Sequence, residues 1–362
     1  MQNHLLHLVM QSLQQTKNMF LDQLSTFRLP AEWERHEATW LSWPQNSDTW
    51  AHFLPKVQQA YIQFIKVIST KEKVNLLLSI KNVTVVRELL QQADCAIENI
   101  QLHTWDTNDA WMRDCGPDFL IDEKKKEKII INWEYNAWGG KYPPYQADNM
   151  IPKRVAKHLN IPYISPNIIL EGGSFDPNGK GSVLTTESCL LHENRNPHLS
   201  KKQIEHYLID YLQIGHVIWL EDGIVGDDTD GHIDDMTRFV ASDVILTCVE
   251  ENKKDSNYIP LNNNLQRLRS ARLENGKQAT IMTLPMPSPF IYNGQRLPAS
   301  YANFYICNAA VIVPVFNDPM DQKAIDILEP FFTEREVIPI YAGDIIYGLG
   351  SFHCLSKHEP YI

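Results

Sequence analysis

The sequence predicts an α/β fold assembled from strand-strand-helix units, and three observations predict it. Short runs rich in β-branched residues recur along the 362 residues, with helical stretches between them. Several of these runs come as adjacent pairs, which breaks the strict βαβα alternation of a nucleotide-binding fold. Neither G-x-G-x-x-G after a strand nor G-x-x-x-x-G-K-[ST] occurs, so the sequence holds no phosphate-cradling loop of those types.

Taken in order, period-2 or continuously apolar runs predict strands at 38–43 (ATWLSW), 73–80 (KVNLLLSI), 129–135 (IIINWEY) and 167–173 (NIILEGG). Further strands are predicted at 216–220 (HVIWL), 243–249 (DVILTCV), 279–284 (ATIMTL), 304–316 (FYICNAAVIVPVF) and 337–341 (VIPIY). Helical spacing predicts helices at 54–69, 83–93, 201–212, 259–275 and 321–331. The run EKKKEK at 123–128 reads as a solvated hairpin tip between two apolar strands. At the N-terminus, Leu5, Leu6, Val9, Leu13, Phe20 and Leu24 fall at the spacing of an amphipathic helix. That segment has no basic start and no small-residue cleavage site, so it is not read as a signal peptide. No apolar run approaches the length of a membrane span. With no Pro/Gly/Ser-rich linker to divide the chain, residues 1–27 read as a helical extension and 28–362 as one domain.

Composition narrows the function classes. The chain is 43% hydrophobic with a formal net charge of −11, which argues against a phosphate-binding surface and for no nucleic-acid partner. Cys95, Cys115, Cys189, Cys248, Cys307 and Cys354 form no C-x-x-C pair, so neither a disulfide framework nor a zinc knuckle is expected. A cytoplasmic protein with free thiols is the expectation.

Four polar segments at strand ends carry the chemistry: NDAWMRDCGPDF (108–119), LEGGSFD (170–176), DDTDGHIDD (227–235) and GLGSFHCLS (348–356). The third packs five carboxylates and a histidine into nine residues. In isolation it fits an Asp-rich turn. An EF-hand alignment on Gly231 puts Thr237 where a bidentate carboxylate is needed, so the calcium reading fails. His232 is the only nearby zinc-type ligand. A carboxylate site for magnesium or manganese stays open. Read as a strand from Gly231, the segment 232–240 places His232 and Asp234 on one face and Asp235 on the other, where it meets Arg238 or caps a neighbour. Cys354 follows a glycine-rich approach; His353, adjacent on an extended chain, points away from it, which makes His232 its candidate base. Carboxylates at Asp114, Glu171 and Asp234 oppose a second negative charge on sulfur. They suit a cationic substrate, and a guanidinium presents a planar fork that two carboxylates grip.

These segments, together with RLPAEWERHEATWLSWP (28–44) and YANFYICNAAVIVPVFND (301–318), resemble the agmatine deiminase family, which includes the bacterial type of peptidyl-arginine deiminase. The resemblance runs from about residue 28 to the C-terminus in the family's order. It implies a five-bladed α/β propeller with pseudo-fivefold symmetry around a central site. It implies cofactor-free, metal-free hydrolysis of agmatine to N-carbamoylputrescine and ammonia, within putrescine synthesis. Position by position, the family's nucleophile matches Cys354, its acid/base His232, its guanidinium-gripping carboxylates Asp114 and Asp234, and its active-site glutamate Glu171. Trp111 matches a pocket aromatic, and Asp227 and Asp228 are candidates for the distal amine. The family's triple glycine and Asn-Ile before His-Cys is replaced here by Gly348, Leu349, Gly350, Ser351 and Phe352. Two other readings stand beside this one: a deiminase of peptidyl-arginine or another guanidino compound, and a non-catalytic polyamine- or cation-binding protein. A homo-oligomer is compatible with the N-terminal helix acting as a dimer contact.

Overall fold

The computed structural model describes residues 23–362. The helix expected over the first residues lies outside these, apart from its last apolar position, Leu24, which is buried in a hydrophobic cluster. Among the described residues no helix is long and apolar enough to cross a membrane.

The fold is α/β and rests on five sheets that share one wiring pattern. In the first, β1 (His36–Ser42), β2 (Lys73–Leu77) and β3 (Ile100–His103) run parallel, and the last strand of the chain pairs antiparallel with β1. The second holds β4 (Asp118–Asp122), β5 (Glu127–Ile131) and β6 (Tyr163–Ile164). The third holds β7 (Phe175–Pro177), β8 (Ser182–Thr186) and β9 (His216–Leu220). The fourth holds β10 (Thr237–Ala241), β11 (Val244–Val249) and β12 (Thr280–Pro285). After a hairpin of β13 (Ile291–Tyr292) and β14 (Gln295–Arg296) comes the fifth, β15 (Tyr305–Ile306), β16 (Ala310–Val315) and β17 (Glu336–Tyr341). The closing strand is β18 (Ser356–Pro360). Each sheet therefore contains an antiparallel pair followed by a parallel neighbour, and a parallel neighbour requires a crossover.

Helices supply those crossovers: α1 (Leu54–Ser69), α2 (Val83–Gln92), α3 (Ile151–Leu159), α4 (Lys201–Leu212), α5 (Tyr258–Ser270) and α6 (Asp321–Leu328). Local chemistry sets their ends. α1 starts with Pro55 in its first turn, where a missing N–H goes unnoticed, and buries Val57, Tyr61, Phe64, Ile65 and Ile68 along one stripe. α4 opens on a capping box between Ser200 and Gln203 and stops where Gln213 turns left-handed. The apolar faces meet in one large core, with a second cluster around Leu120, Ile131, Leu170, Val183 and Leu208 between the second and third sheets.

Two predicted strands are corrected. Residues 167–173 form no strand: Ile169 makes one isolated bridge to Glu134, and Gly172–Ser174 is a 3₁₀ turn. The strand read from Gly231 begins only at Thr237, because Ile233–Asp235 is another 3₁₀ turn. In both places polar side chains needed at the centre of the molecule displace the ladder. Strands β8 and β18 were not expected from the sequence. Their Ser, Thr and Lys positions are buried by tertiary packing rather than marked by an apolar pattern.

Candidate active site

The site sits where the first strand of each antiparallel pair begins. The helical turn Met112–Cys115 ahead of β4 delivers Asp114, and the turn ahead of β7 follows Glu171. The turn ahead of β10 holds Asp234 and follows His232, and the segment ahead of β18 carries Cys354. All five side chains are buried. Trp111 and Asp114 line a cavity of about 630 Å³ together with Cys354, Trp138, Tyr135 and Gly350.

Glycines allow these groups to meet. A Cβ on Gly173 would lie 2.5 Å from His232 Nδ1 and 2.7 Å from Asp114 Oδ1, so LEGGSFD carries glycine for close approach. A Cβ on Gly350 would lie 2.5 Å from Trp111 and 3.1 Å from the Cys354 Cβ, which accounts for the glycine-rich approach to the thiol.

The polar groups are only partly satisfied by one another. Asp114 accepts from Trp138 Nε1 and from the Gly173 amide, each at 3.0 Å, and stands 3.6 Å from His232 Nδ1. Glu171 Oε1 accepts from Arg195 Nε at 2.6 Å. Its Oε2 has no hydrogen-bond partner and faces His232 Nε2 at 4.0 Å. Both His232 nitrogens and Asp234 Oδ1 are likewise unpartnered. Buried polar atoms in folded proteins are almost always paired, so a cluster of four orphans marks the seat of a polar ligand.

Electrostatics divide the carboxyls. Burial lifts the Asp114 carboxyl to about 6, with Asp234 and Glu171 adding to the rise and His232 opposing it. Burial works against ionised Asp234, yet its bond to His353 and the charges of His353 and His232 hold it below the usual range. Asp235 is pushed well above that range by burial and by Asp234 and Asp227. Burial opposes imidazolium at His232, but Asp114 and Cys189 lead the groups that raise it well above the ordinary value. Burial, then Asp234, Asp235 and Asp114, push the Cys354 thiol far up. A cation placed among these groups relieves the crowding of negative charge.

Beneath the site lies a charge hub that no sequence pattern marks. Glu32 accepts from Arg113 Nη2 (2.6 Å), Arg238 Nη2 (3.0 Å) and the Ile306 amide (3.0 Å), and meets His353 Nε2 at 2.9 Å. His353 Nδ1 in turn contacts Asp234 Oδ2 at 2.6 Å. Burial alone would lift Glu32, but His353, Arg238 and Arg113 hold its carboxyl well below the usual range. Arg238 thus binds Glu32 and Asp176 rather than Asp235, which instead accepts from Asn303 at 2.9 Å. Glu32→Gln is expected to lower unfolding stability by about 3 kcal/mol, because two buried guanidinium groups lose their shared counter-charge. A urea melt showing a loss under about 1 kcal/mol contradicts that role for the hub.

The candidates for the distal amine separate. Asp227 does not line the cavity; its carboxylate accepts from the amides of Thr229, Gly231 and His232 and from the Thr229 hydroxyl. Both of its carboxylate oxygens are spent on donors of its own loop. Asp228 does line the cavity, and holds Lys141 Nζ and the Tyr142 hydroxyl. The loop's remaining carboxylate, Asp230, binds Arg195 and Lys141.

Among the described residues, two groups of ligand-type atoms come within 4.8 Å of one another, Glu171 with Cys189 and His232, and Asp234 with Asp235 and Cys354. Each offers three donors, fewer than the four of a structural zinc site and equal to the protein ligands of a catalytic one, but the Arg195 guanidinium binds the Glu171 carboxylate of the first. Arg195, Glu32, His353 and the cavity aromatics Tyr135, Trp138 and Tyr142 escape a reading of the sequence alone. The segment NAWGGKYPPY, dense in aromatics, glycine and proline, is the signal for Trp138 and Tyr142, with Tyr135 immediately ahead of it.

Comparison with known proteins gives a consistent result. Agmatine deiminase from Pseudomonas syringae pv. tomato is 35% identical, over 92% of this chain and 95% of that protein. The structure of Enterococcus faecalis agmatine deiminase superimposes with a TM-score of 0.87 at 33% identity, covering 93% of this chain and 96% of the other. A cysteine-to-serine form of C. jejuni agmatine deiminase with substrate bound gives a TM-score of 0.84 at 33% identity, covering 92% and 96%. The family profile of the Porphyromonas-type peptidyl-arginine deiminases matches residues 28–360, a span that takes in every strand and every site segment described above. By sequence and by fold, this chain belongs to that family.

Proposed function

We propose that the chain hydrolyses agmatine to N-carbamoylputrescine and ammonia through a covalent intermediate on Cys354, as a step toward putrescine. The observation that carries this reading is the set of orphaned buried atoms, Glu171 Oε2, Asp234 Oδ1 and both His232 nitrogens, beside a thiol in a cavity of about 630 Å³. A guanidinium offers N–H donors to the carboxylates and a carbon to the sulfur.

In the proposed mechanism Asp114 and Asp234 grip the guanidinium and Glu171 fixes its third edge, while Trp111 covers the face and alkyl chain. The bound cation favours loss of the Cys354 proton to solvent. The thiolate lone pair forms the S–C bond, and the C–N π pair moves onto nitrogen. Imidazolium His232 protonates that nitrogen, which leaves as ammonia and generates a thiouronium. Neutral His232 then takes a proton from water as its oxygen attacks the same carbon. Collapse of the tetrahedral adduct breaks the C–S bond; the hydroxyl proton is lost as the C=O forms, the expelled sulfur regains a proton as the resting thiol, and the ureido product is released. Asp228 is assigned to the distal amine at the cavity mouth, exchanging part of its contact with Lys141 for the substrate.

Around this chemistry we place a five-bladed propeller made of residues 28–362, one blade per sheet, with residues 1–27 as an extension. The repeated wiring of the five sheets, and the entry of each antiparallel pair at the site, support that arrangement. All six cysteines are unpaired, in keeping with a cytoplasmic enzyme.

The test is product release from agmatine, free arginine and an arginine peptide, with and without chelator. Agmatine is expected to be the preferred substrate, with ammonia and ureido product in equal amounts and no loss on chelation. Turnover of the peptide but not of agmatine reassigns the substrate; turnover of none leaves a cation-binding protein.

A further inference from the structure

Between β5 and α3 the chain makes a turn that the proposed chemistry does not use. Ala137, Trp138, Gly139 and Gly140 have φ of +54°, +53°, +91° and +78°, four left-handed residues in succession. Among the described residues no other such run exceeds two. Glycine adopts that region freely, but Ala137 and Trp138 are strained there by their Cβ atoms. Strain of this kind persists only where the surroundings over-determine it, and it gathers at functional sites. Here the Gly139 amide donates to Asn136 Oδ1 at 2.8 Å, and the Gly140 amide to the Asn136 carbonyl at 2.7 Å. Asn136 Nδ2 donates to the Asn194 carbonyl at 3.1 Å. A Cβ on Gly139 would lie 2.3 Å from Asn194 Nδ2, so the turn presses against that side chain. Just beyond it, Lys141 Nζ donates to the Asp228 carbonyl at 2.6 Å and to Asp230 Oδ1 at 2.8 Å, which ties its far end to the loop at the cavity mouth.

What the turn delivers is the Trp138 indole. Its ring is buried and meets Tyr135 and Tyr142 edge-on, with centroids 5.6 Å and 5.7 Å away. Its Nε1 donates to Asp114 Oδ2 at 3.0 Å, while the Gly173 amide donates to Asp114 Oδ1 at 3.0 Å. Each oxygen thus meets an N–H donor, an arrangement that suits a carboxylate and not a carboxylic acid. We propose that Trp138 is a positioning residue of the deimination: the left-handed turn aims its indole N–H at Asp114, fixing the plane of that carboxylate and keeping it ionised for the guanidinium. The proposal rests on the reading of Asp114 as a guanidinium grip. Burial raises the Asp114 carboxyl, Asp234 and Glu171 add to the rise, and His232 and the indole bond oppose it. Loss of the indole donor therefore raises the carboxyl further. The other titratable groups facing Asp114 are Asp235 on the turn ahead of β10, Cys354 and Lys357 in the closing segment, Cys115 on its own turn, and Tyr135. A substitution at Trp138 leaves all of them in place.

The test follows the indole itself, with agmatine turnover in parallel. In protein labelled with 15N-tryptophan, the Nε1–H resonance missing from Trp138→Phe identifies Trp138. In the free enzyme that resonance is expected to titrate with a midpoint at about 6, moving upfield as Asp114 takes up a proton. In Asp114→Asn the titration is lost. Trp138→Phe keeps a ring and removes the donor. Its acid limb of kcat/KM is expected to move up by about one pH unit, the scale of one hydrogen bond to a charged group. Above the limb, kcat/KM is expected to recover to within about tenfold of wild type, because the ionised carboxylate keeps its Gly173 bond. In the Asp114→Asn background the same substitution has no limb to move. A Trp138 resonance that ignores pH between about 5 and 7 overturns the proposal. So does a Trp138→Phe enzyme slowed equally at every pH, its limb displaced by less than about half a unit, and Trp138 is then packing alone. A wild-type enzyme that ignores agmatine sinks the substrate reading, and the indole titration still decides what Trp138 does for Asp114.

Discussion

Cys354→Ala is expected to release no ammonia from agmatine above background, a loss of roughly 10⁵-fold or more, the scale seen when a covalent nucleophile is removed. The cause is local: Cys354 is the thiol lining the cavity, and the wall that remains can bind a guanidinium but cannot attack it. Binding should survive, because Asp114, Glu171 and Asp234 are untouched, so calorimetry on the variant should still record agmatine. Cys248 is the control. It is buried against Ser300, its thiol is pushed up to about 12 by burial, and it does not line the cavity. Cys248→Ala should therefore keep turnover. Measurable activity in a folded Cys354→Ala protein removes the thiol mechanism.

Much of the fold was legible because helices and apolar strands announce themselves locally. The helices predicted at 54–69 and 201–212 and the strand at 216–220 appear with those boundaries, since each has a periodic apolar stripe or a readable cap. The site was legible in a different way. His232 and Asp234 do reach one place, but through a 3₁₀ turn and not through strand alternation. Glu171 and Gly173 likewise sit on a turn where a strand was expected. What stayed hidden is set by distance along the chain. Glu32 meets the Ile306 amide across 274 residues and Arg238 across 206, and Asn303 meets Cys354 across 51. No local pattern in PAEWER or YANFY marks such partners. Asp227 shows the converse: a carboxylate in the most suggestive segment of the chain spends itself on the amides of its own loop.

The second large effect concerns Asp114. Its carboxyl sits at about 6 in the free enzyme, raised first by burial and then by Asp234 and Glu171. Only the ionised form grips a guanidinium, so kcat/KM is expected to fall as pH drops through about 6. Stability runs the other way. Between the unfolded value near 4 and the folded value, the folded state holds a proton that the unfolded chain releases, so this group stabilises the fold at low pH and loses that contribution as pH rises through the window. The free enzyme thus carries a cost near neutral pH that the cationic substrate removes, and agmatine should raise Tm more at pH 7 than at pH 5. Asp114→Asn should abolish the acid limb and lower kcat/KM by roughly 10²- to 10³-fold, the range for deleting one member of a buried charge pair. Asp234 is held ionised by His353. Asp234→Asn should therefore also be slow, but its residual activity should still fall away on the acid side, with the limb displaced to lower pH because the Asp234 charge no longer helps raise the Asp114 carboxyl. If the acid limb vanishes with Asp234→Asn and persists in Asp114→Asn, the titrating carboxylate is Asp234, and the division of charge between the two walls of the site is reversed.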